Sequence, residues 1–176
     1  AGDCFLAAFV YGLTQDKTIK ECLELAAKGA TESVKHLGTY ILSKSDLEDT
    51  VVFTNGCFDI LHIGHLKLLR HARSLGNKLI VAINSDASVK RLKGETRPIN
   101  SQEIRKETLE QLGIVDEVII FDEDTPYETI KKIKPNIIVK GGDYTVETVV
   151  GNDLAEVAIF PKVEGYSTTN IIKASK

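Results

Sequence analysis

The segment VVFTNGCFDILHIGHLKLLRHARSLG, residues 51–76, joins a short apolar run to a helical pattern. VVFTN predicts a strand, and IGHLKLLRHARSLG, which ends at Gly76, predicts a helix. The segment TNGCFDILHIGH, residues 54–65, spans the junction of the two predicted elements and contains two histidines. This segment therefore predicts a strand–loop–helix unit with chemically useful side chains in its loop.

The same alternation continues to the end of the chain. Further strands are predicted at KLIVAINSD, DEVIIF, NIIVKGGD and EVAIFP, and further helices at SQEIRKETLEQLG, PYETIKKIK and TTNIIKAS. Ser101 is placed as an N-cap and Gly113 as a stop for the first of these helices. Each strand is a continuous Val/Ile run, which is typical of a parallel sheet covered on both faces. The sequence predicts a doubly wound, Rossmann-like α/β domain over residues 51–176.

The first 42 residues show a different pattern. Residues 3–37 predict helices, with apolar or small residues at helical spacing at Ile19, Cys22, Leu23, Ala26 and Ala30, and Gly38 as the stop. Residues 43–50, SKSDLEDT, are polar and predict a linker. Two such helices do not bury a core alone. We therefore expect residues 1–42 to be a helical extension that packs on the second domain, packs on another chain or stays loose, and we favour self-association into a homo-oligomer.

Composition narrows the class of protein. The 176 residues are 43% hydrophobic and 27% charged with a net charge of −3, which fits a globular chain and disfavours nucleic acid as a partner. No 18-residue apolar span is present, so no membrane partner is expected. Three cysteines without CxxC spacing indicate free thiols and a cytoplasmic location. The first residue is not Met, which predicts that the chain begins inside a longer one.

Polar residues recur at the predicted carboxyl ends of the strands. They are Asn55–Gly56, Asn84–Asp86, Lys140–Asp143 and, after the last strand, Glu164–Thr169. In doubly wound sheets, ligands bind at this edge, where successive connections leave to opposite faces. The sequence therefore predicts one ligand site at the carboxyl edge of the sheet.

His62 and His65 lie three residues apart at the predicted helix start, so both rings can face the same side. Gly64 leaves room for a phosphate near the backbone N–H groups of that helix. A capped helix with two incidental histidines is the competing interpretation. A zinc site is disfavoured, since only His36 and His71 remain and no cysteine pair completes a ligand set.

These residues carry a family resemblance. TNGCFDILHIGHLKLL resembles the HxGH signature of the cytidylyltransferase-like nucleotidyltransferases, and VEGYSTTNII, residues 163–172, resembles their second signature. Between them, NSDASVKRLKGETRPINSQEIRKETLE and VKGGDYTVETVVG are similar to the adenylyltransferase half of the bifunctional ADP-heptose synthases. That resemblance, over about residues 51–173, implies conversion of ATP and D-glycero-β-D-manno-heptose 1-phosphate to ADP-heptose and pyrophosphate, for lipopolysaccharide core or surface-glycan synthesis.

A second resemblance covers the N-terminal residues. AGDCFLAAFVYGL and HLGTY resemble the closing part of ribokinase-like (pfkB) sugar kinases, which precede the nucleotidyltransferase in ADP-heptose synthases. Asp3 matches the catalytic base of those kinases. The leading Gly of their motif and the sugar pocket are absent, so we expect Asp3 to be an idle helix cap and expect no kinase activity.

The resemblance also implies a mechanism. The sugar phosphate attacks the α-phosphorus of ATP in line, and pyrophosphate leaves without a covalent intermediate. His62 and His65 are expected to hydrogen-bond the triphosphate and its transition state, above a floor formed by Asn55, Gly56 and Phe58. Mg²⁺ is expected to arrive with ATP, because the sequence shows no carboxylate cage for it.

Several cations follow the second strand. We expect Lys90 or Lys93, in VKRLKGETRP, to meet substrate phosphate, although a solvated loop is the alternative. Three further candidates for substrate binding or for organising the site are Asp59, Arg97 and Arg105. For Arg105, an intrahelical ion pair is the alternative.

The last candidates lie after the fourth and fifth strands. The resemblance implies that Gly142 and Asp143 lie beside the nucleotide base. It implies that a cluster contacts the β- and γ-phosphates: Lys162, Ser167, Thr168 and Thr169. A plain loop and ordinary N-caps are the alternatives.

Two other functions remain open from the sequence. The opening motif also fits a cytidylyltransferase that acts on glycerol 3-phosphate or a similar alcohol phosphate. A non-catalytic fragment that mainly mediates association is the third interpretation.

Overall fold

Residues 1–49 and the residues from Thr50 onward form two compact units in the computed structural model, which describes residues 1–163. The first unit contains helices α1 (Gly2–Thr14), α2 (Ile19–Ser33) and α3 (Lys44–Leu47). The short α3 lies inside the stretch for which the sequence predicts a linker. The predicted C-terminal helix TTNIIKAS lies outside the described residues.

Small side chains bring α1 and α2 close together. A Cβ atom on Gly29 would lie 2.9 Å from Cβ of Ala8, and one on Gly12 would lie 2.8 Å from Sγ of Cys22. Gly29 lowers the helix propensity of α2, but this close contact requires it. The helix ends at Ser33 and does not reach Gly38, and the apolar side chains that follow, Val34 and Leu37, are exposed, so their burial does not favour a further turn.

The second unit is built from five strands and the helices that follow them. The strands are β1 (Val51–Gly56), β2 (Lys78–Asn84), β3 (Glu117–Phe121), β4 (Ile137–Gly141) and β5 (Glu156–Phe160). The helices are α4 (Ile63–Ser74), α5 (Asp86–Lys93), α6 (Gln102–Glu110) and α7 (Tyr127–Ile133), with a 3₁₀ turn at Val146–Thr148. Among the described residues, no helix is long and apolar enough to cross a membrane.

All five strands run parallel in the order β3-β2-β1-β4-β5. The chain builds outward from the central β1 through β2 and β3, then returns to the other side of β1 with β4. This reversal creates the crevice between the carboxyl ends of β1 and β4 in which doubly wound proteins bind ligands. The predicted fold class is confirmed.

Alternate residues of each strand enter two separate apolar cores. In β2, Leu79, Val81 and Ile83 belong to one core, whereas Ile80 and Ala82 belong to the other. Successive strand side chains point to opposite faces, so a continuous apolar run is required when both faces are covered. The Val/Ile runs in the sequence have this physical cause.

The helix caps were partly visible in the sequence. Ser101 accepts a hydrogen bond from the backbone N–H of Ile104, at 3.5 Å, as predicted for an N-cap. The alternative of a solvated loop at VKRLKGETRP is wrong for its first half, because Lys90, Arg91 and Lys93 belong to α5. Ser85 caps that helix, and cations in a last turn interact favourably with the helix dipole.

Candidate active site

Two cavities meet at the carboxyl edge of β1 and β4. The main cavity has a volume of about 500 Å³ and is lined, among others, by Asn55, Phe58, His65, Lys93, Arg97 and Lys140. The side cavity has a volume of about 330 Å³ and is lined, among others, by His62, His65, Gly142, Asp143, Tyr144 and Lys162. His65 and Tyr144 line both, so a ligand in one cavity lies next to a ligand in the other.

The histidine pair lies where the cavities meet. His62 is the N-cap residue of α4, and its ring stacks on that of His65 with centroids 3.8 Å apart and planes inclined by 22°. Gly64 makes this possible, because a Cβ atom there would lie 3.0 Å from Cε1 and Nδ1 of His62. The ring of Phe58 supports His65 from a centroid distance of 5.0 Å. The spacing of the motif therefore produces one stacked imidazole pair at a helix start.

Both imidazoles are neutral near pH 7. Burial, assisted by the adjacent His62 ring, lowers the pKa of His65 to about 4, and burial lowers the pKa of His62 as well. Each neutral ring has one N–H donor and one acceptor nitrogen. Within residues 1–163, Nδ1 of each ring is buried without a hydrogen-bond partner. As neutral rings, the two imidazoles can hydrogen-bond phosphate oxygens through N–H groups without adding charge.

The floor of the site follows β1 directly. Phe58 adopts a φ of +47° and is 4% exposed. A Cβ atom on Gly56 would lie 3.2 Å from its ring, so the absence of a side chain at Gly56 lets the ring fold back against the strand end. Asn55, Gly56 and Phe58 thus all line the main cavity and do not line the side cavity; their role as a floor for the triphosphate stays a prediction.

Lys140, which the sequence placed among the polar residues at the carboxyl edge of the sheet, is a site residue to which no motif assigned a role. Its Nζ donates hydrogen bonds to Oδ1 of Asn55 at 2.9 Å and to the Asn55 carbonyl oxygen at 3.2 Å. It also lies 5.3 Å from the ring centroid of Tyr144. Burial lowers the pKa of Lys140 to about 8. A lysine near the end of the otherwise apolar strand NIIVKG was the available signal.

Asp59 and Arg97 bind each other. The Asp59 carboxylate accepts hydrogen bonds from Nε of Arg97 at 2.6 Å and from the backbone N–H groups of Ile99 and Asn100 at 2.8 and 2.9 Å. Burial alone would raise the pKa of Asp59, but these hydrogen bonds and the Arg97 charge together hold it below its ordinary value. Asp59 therefore organises the site, and Arg97 presents to the main cavity a charge that is already compensated.

Arg105 also serves the framework. It is 2% exposed, and its guanidinium donates to the Cys57 carbonyl at 2.7 Å, to Asp86 at 2.7 Å and to the Asn100 carbonyl at 3.0 Å. One buried side chain thus joins the β1–α4 loop, the start of α5 and the start of α6. Its influence on a ligand is indirect, and the intrahelical ion pair does not form, because Asp86 lies on another helix.

Of the cations on α5, Lys93 lines the main cavity. Arg91 does not line the cavity, and its guanidinium lies 3.2 Å from Asp124 and 3.7 Å from Asp122. Lys90 is exposed and is not part of the cavity lining. The choice between Lys90 and Lys93 therefore favours Lys93 as the residue placed to meet a substrate phosphate.

The described nucleotide candidates divide between the two cavities. The side cavity is lined by Gly64, Gly142, Asp143 and Lys162, and the main cavity by Asn55, Gly56 and Phe58. Gly142 has a φ of +112°, which its lack of a side chain permits in the turn after β4. Lys162 lies 3.1 Å from Asp143, and both side chains are well exposed. Ser167, Thr168 and Thr169, with almost all of the second signature, lie outside the described residues.

Two further side chains have defined places. Burial raises the pKa of the Cys57 thiol, so this thiol stays protonated and is a poor nucleophile. Asp3 lies in the first turn of α1, and Ala1 occupies the N-cap position, so the expectation that Asp3 caps the helix is wrong.

Within residues 1–163, no group of three or more His, Cys, Asp or Glu side chains is placed to hold a metal ion.

Family models match most of the chain. The family described as cytidylyltransferase-like matches residues 53–174, and the pfkB family of carbohydrate kinases matches residues 1–46. These two regions correspond to the two resemblances that the motifs carry.

Similar proteins share a name. The chain is 47% identical to the Bifunctional protein HldE of Campylobacter concisus (strain 13826), over 100% of this chain and 44% of that protein. It is 57% identical to the protein of the same name from Marinomonas sp. (strain MWYL1), over 71% of this chain and 27% of that protein. The chain thus spans less than half the length of these relatives.

Solved structures share the fold. The lipopolysaccharide core biosynthesis protein from Thermoplasma volcanium GSS1 aligns with a TM-score of 0.55 and 29% identity, over 68% of this chain and 100% of that one. Pantothenate synthetase from Thermus thermophilus aligns with a TM-score of 0.52 and 18% identity, over 69% of this chain and 61% of that one, which is a likeness of fold alone.

Proposed function

Because the chain belongs to the cytidylyltransferase-like family of nucleotidyltransferases, we propose that it transfers AMP from ATP to D-glycero-β-D-manno-heptose 1-phosphate. The products are ADP-heptose, for lipopolysaccharide core or surface-glycan synthesis, and pyrophosphate. The stacked His62–His65 pair between two cavities is the observation that carries the proposal. The acceptor is supported by the ADP-heptose synthase motifs and by the solved relative whose name refers to lipopolysaccharide core biosynthesis.

The two cavities suggest how the substrates divide. We assign ATP to the side cavity, with its base near Gly142 and Asp143 and its phosphates toward the histidine pair. The sugar phosphate then occupies the main cavity, where Lys93 adds positive charge. This division brings the α-phosphorus of ATP and the attacking oxygen together at His65, and such positioning supplies much of the rate in phosphoryl-type transfer.

The reaction forms one bond and breaks another. An oxygen of the sugar phosphate attacks the α-phosphorus, and the bond from that phosphorus to the bridging oxygen of the β-phosphate breaks. Negative charge grows on the equatorial oxygens and on the leaving pyrophosphate. Neutral imidazole N–H groups of His62 and His65 stabilise that charge by hydrogen bonding, and the half-buried site strengthens these bonds relative to water.

We propose that Mg²⁺ enters with ATP. The described side chains form no cage for it, so its ligands would be phosphate oxygens and water, an arrangement that magnesium commonly accepts. When bound, the ion neutralises phosphate charge.

The location is also a proposal. Cys4, Cys22 and Cys57 are all unpaired thiols, which is typical of the reducing cytoplasm, and we place the reaction there.

Pyrophosphate release tests the proposed reaction. The purified chain is given Mg²⁺ with ATP and heptose 1-phosphate, or with CTP and glycerol 3-phosphate. We expect turnover with the first pair only, and a loss of about 100-fold or more in kcat for His65→Ala. His71→Ala is the matched control, because His71 lies on the same helix but lines neither cavity.

Two outcomes would contradict the proposal. Turnover with CTP and glycerol 3-phosphate would retain the fold and the histidine chemistry but replace both substrates. Turnover that His65→Ala and His71→Ala reduce equally would remove the histidine pair from the mechanism.

A further inference from the structure

Lys140 is a half-buried cation that has no counter-charge among residues 1–163. It lies near the end of β4, the strand beside β1 at the reversal of strand order, and it lines the main cavity. Among residues 1–163, no carboxylate lies within ion-pair distance of its ammonium group. Its protein partners are the two oxygen atoms of Asn55, at 2.9 and 3.2 Å.

A lysine ammonium group has three N–H donors, and the Asn55 oxygens use two of them. Neutral oxygen atoms offset only part of the cost of removing a cation from water. An anion in the main cavity would offset the rest. Among the hydrogen bonds of residues 1–163, the ammonium group is thus held in place by Asn55 with one donor left for a ligand.

The other cations of this cavity are placed differently. Arg97 is already neutralised by Asp59 at 2.6 Å, and Lys93 is an exposed residue at the end of α5. Lys140 lines the main cavity but not the side cavity that we assign to ATP. The anion it faces is therefore one that enters the main cavity.

We propose that Lys140, held by Asn55, binds the phosphate group of the sugar 1-phosphate acceptor and thereby orients its attacking oxygen. This assignment rests on the proposed function, because it takes the acceptor to be a phosphate monoester in the main cavity. Asn55 acts as a positioning residue for the ammonium group.

The assignment has a pH signature. The pKa of Lys140 is lowered by burial to about 8, so the free site loses its charge as the pH rises from about 7 to 9. An anion that binds only the ammonium form then binds about tenfold more weakly at pH 9 than at pH 7. At pH 9 its binding is also accompanied by proton uptake.

Other titratable groups face the main cavity from each neighbouring element. They are Cys57 on the β1–α4 loop, His65 on α4, Lys93 on α5, Asp59 with Arg97, Asp124 before α7, and Tyr144 after β4. The pKa of His65, about 4, keeps it outside the window. The Cys57 thiol interacts electrostatically with Lys140, so it needs its own control.

Isothermal titration calorimetry on the full chain tests the assignment without turnover. Heptose 1-phosphate and ATP are titrated separately into wild type and Lys140→Met at pH 7 and pH 9. We expect Lys140→Met to weaken heptose 1-phosphate binding by about tenfold or more at pH 7 and to change ATP binding by less than about threefold. We expect the tenfold pH effect to vanish in Lys140→Met and to persist in Cys57→Ser.

Lys67→Met, which removes an exposed charge from α4, controls for net charge. Equal weakening of ATP and sugar phosphate by Lys140→Met, or an unchanged pH effect in that variant, would overturn the assignment. So would a wild-type chain that binds no phosphate monoester.

Glycerol 3-phosphate separates the two proposals. If wild type binds it in place of heptose 1-phosphate, the proposed acceptor is wrong, but the same comparison with Lys140→Met still decides the role of Lys140. Tenfold weaker binding of glycerol 3-phosphate to the variant supports the role, and equal binding overturns it.

Discussion

The carboxylate of Asp59 lies 2.6 Å from Nε of Arg97, and both side chains are largely enclosed. The same carboxylate accepts backbone N–H groups of Ile99 and Asn100. One short side chain thus fastens the β1–α4 loop, which leads to the histidine pair, to the segment between α5 and α6. Neither segment belongs to a strand or helix at these positions, so their relative placement depends on this contact together with the hydrogen bonds from Arg105 to the carbonyl groups of Cys57 and Asn100.

Removing the charge of Asp59 should destabilise the second unit. Asp59→Asn keeps the size of the side chain but leaves Arg97 enclosed without its counter-charge. We expect a decrease in the free energy of unfolding of about 2 to 4 kcal/mol, measured by urea denaturation. The control is Asp124→Asn, whose 3.2 Å ion pair with Arg91 is exposed and should be worth less than about 0.5 kcal/mol. Equal effects of the two substitutions would show that burial does not matter here.

Protonation of His65 should oppose folding in mild acid. Its pKa, lowered by burial to about 4, lies below the ordinary value, so the unfolded chain binds the proton more tightly than the folded one. The contribution of the neutral His65 ring to the free energy of unfolding is fully present above about pH 6.5 and is lost as the pH falls toward 4. We expect the free energy of unfolding to fall by about 2 kcal/mol from this residue between pH 7.5 and pH 5.

The corresponding measurement compares wild type with His65→Asn, which cannot titrate in this range. The difference in stability between the two pH values should shrink by that amount in the variant. An identical pH dependence in both proteins would mean that the ring is more accessible to water than the structure indicates.

Gly64 should matter for activity more than for stability. In Gly64→Ala the new Cβ atom would lie 3.0 Å from the His62 ring, so the ring must shift by a few tenths of an ångström relative to His65. We expect kcat for pyrophosphate release to fall by up to about 100-fold. The free energy of unfolding should change by less than about 1 kcal/mol, because alanine favours the helix.

A second glycine provides the control for this experiment. A Cβ atom on Gly2 has no neighbour within 4 Å, so Gly2→Ala should leave kcat unchanged. Full activity of Gly64→Ala would show that the stacked arrangement is not needed for the reaction.

The first unit should support self-association. Three apolar side chains on one face of α1 are well exposed, with Leu6 at 62%, Val10 at 49% and Leu13 at 46%. Burying such a stripe against a second copy would be favourable, and a charge within it would not. We expect light scattering to show a dimer or larger species whose apparent mass falls with dilution, and a monomer for Leu6→Glu.

Lys20→Glu, on the exposed side of α2, is the control for added negative charge and should leave the mass unchanged. A wild-type mass equal to that of one chain at every concentration would contradict self-association through this face.

The fold was accessible from local patterns. A strand buried on both faces must be apolar throughout, and β2 shows this directly; the N-cap role of Ser101 was equally visible. The helix α5 was missed, although Ser85 before it and the cations in its last turn are ordinary helix signals. The density of charge in VKRLKGETRP suggested a loop because the buried face of α5 is short, with Ser88 and Val89 as its buried residues.

The residues of the candidate site were likewise predictable from the sequence only in part. The HxGH spacing predicted that His62 and His65 share a face, because residues three apart in a helix are neighbours wherever that helix lies. By contrast, Lys140 meets Asn55 across 85 residues of chain, Asp59 meets Arg97 across 38, and Arg105 meets Cys57 across 48. Spacing along the chain carries no information about such contacts.

Local periodicity and capping thus suffice for the strand–helix alternation, the order of elements and the paired histidines, since these depend on interactions within a few residues. In the parallel sheet, β4 lies beside β1. The α5–α6 segment is held against the β1–α4 loop by a hydrogen bond from the backbone of Ile99 to Asp59. Long-range packing therefore determines which charged side chains become partners of one another and which keep a donor for a ligand. The burial that results from this packing then shifts the pKa of the charged groups.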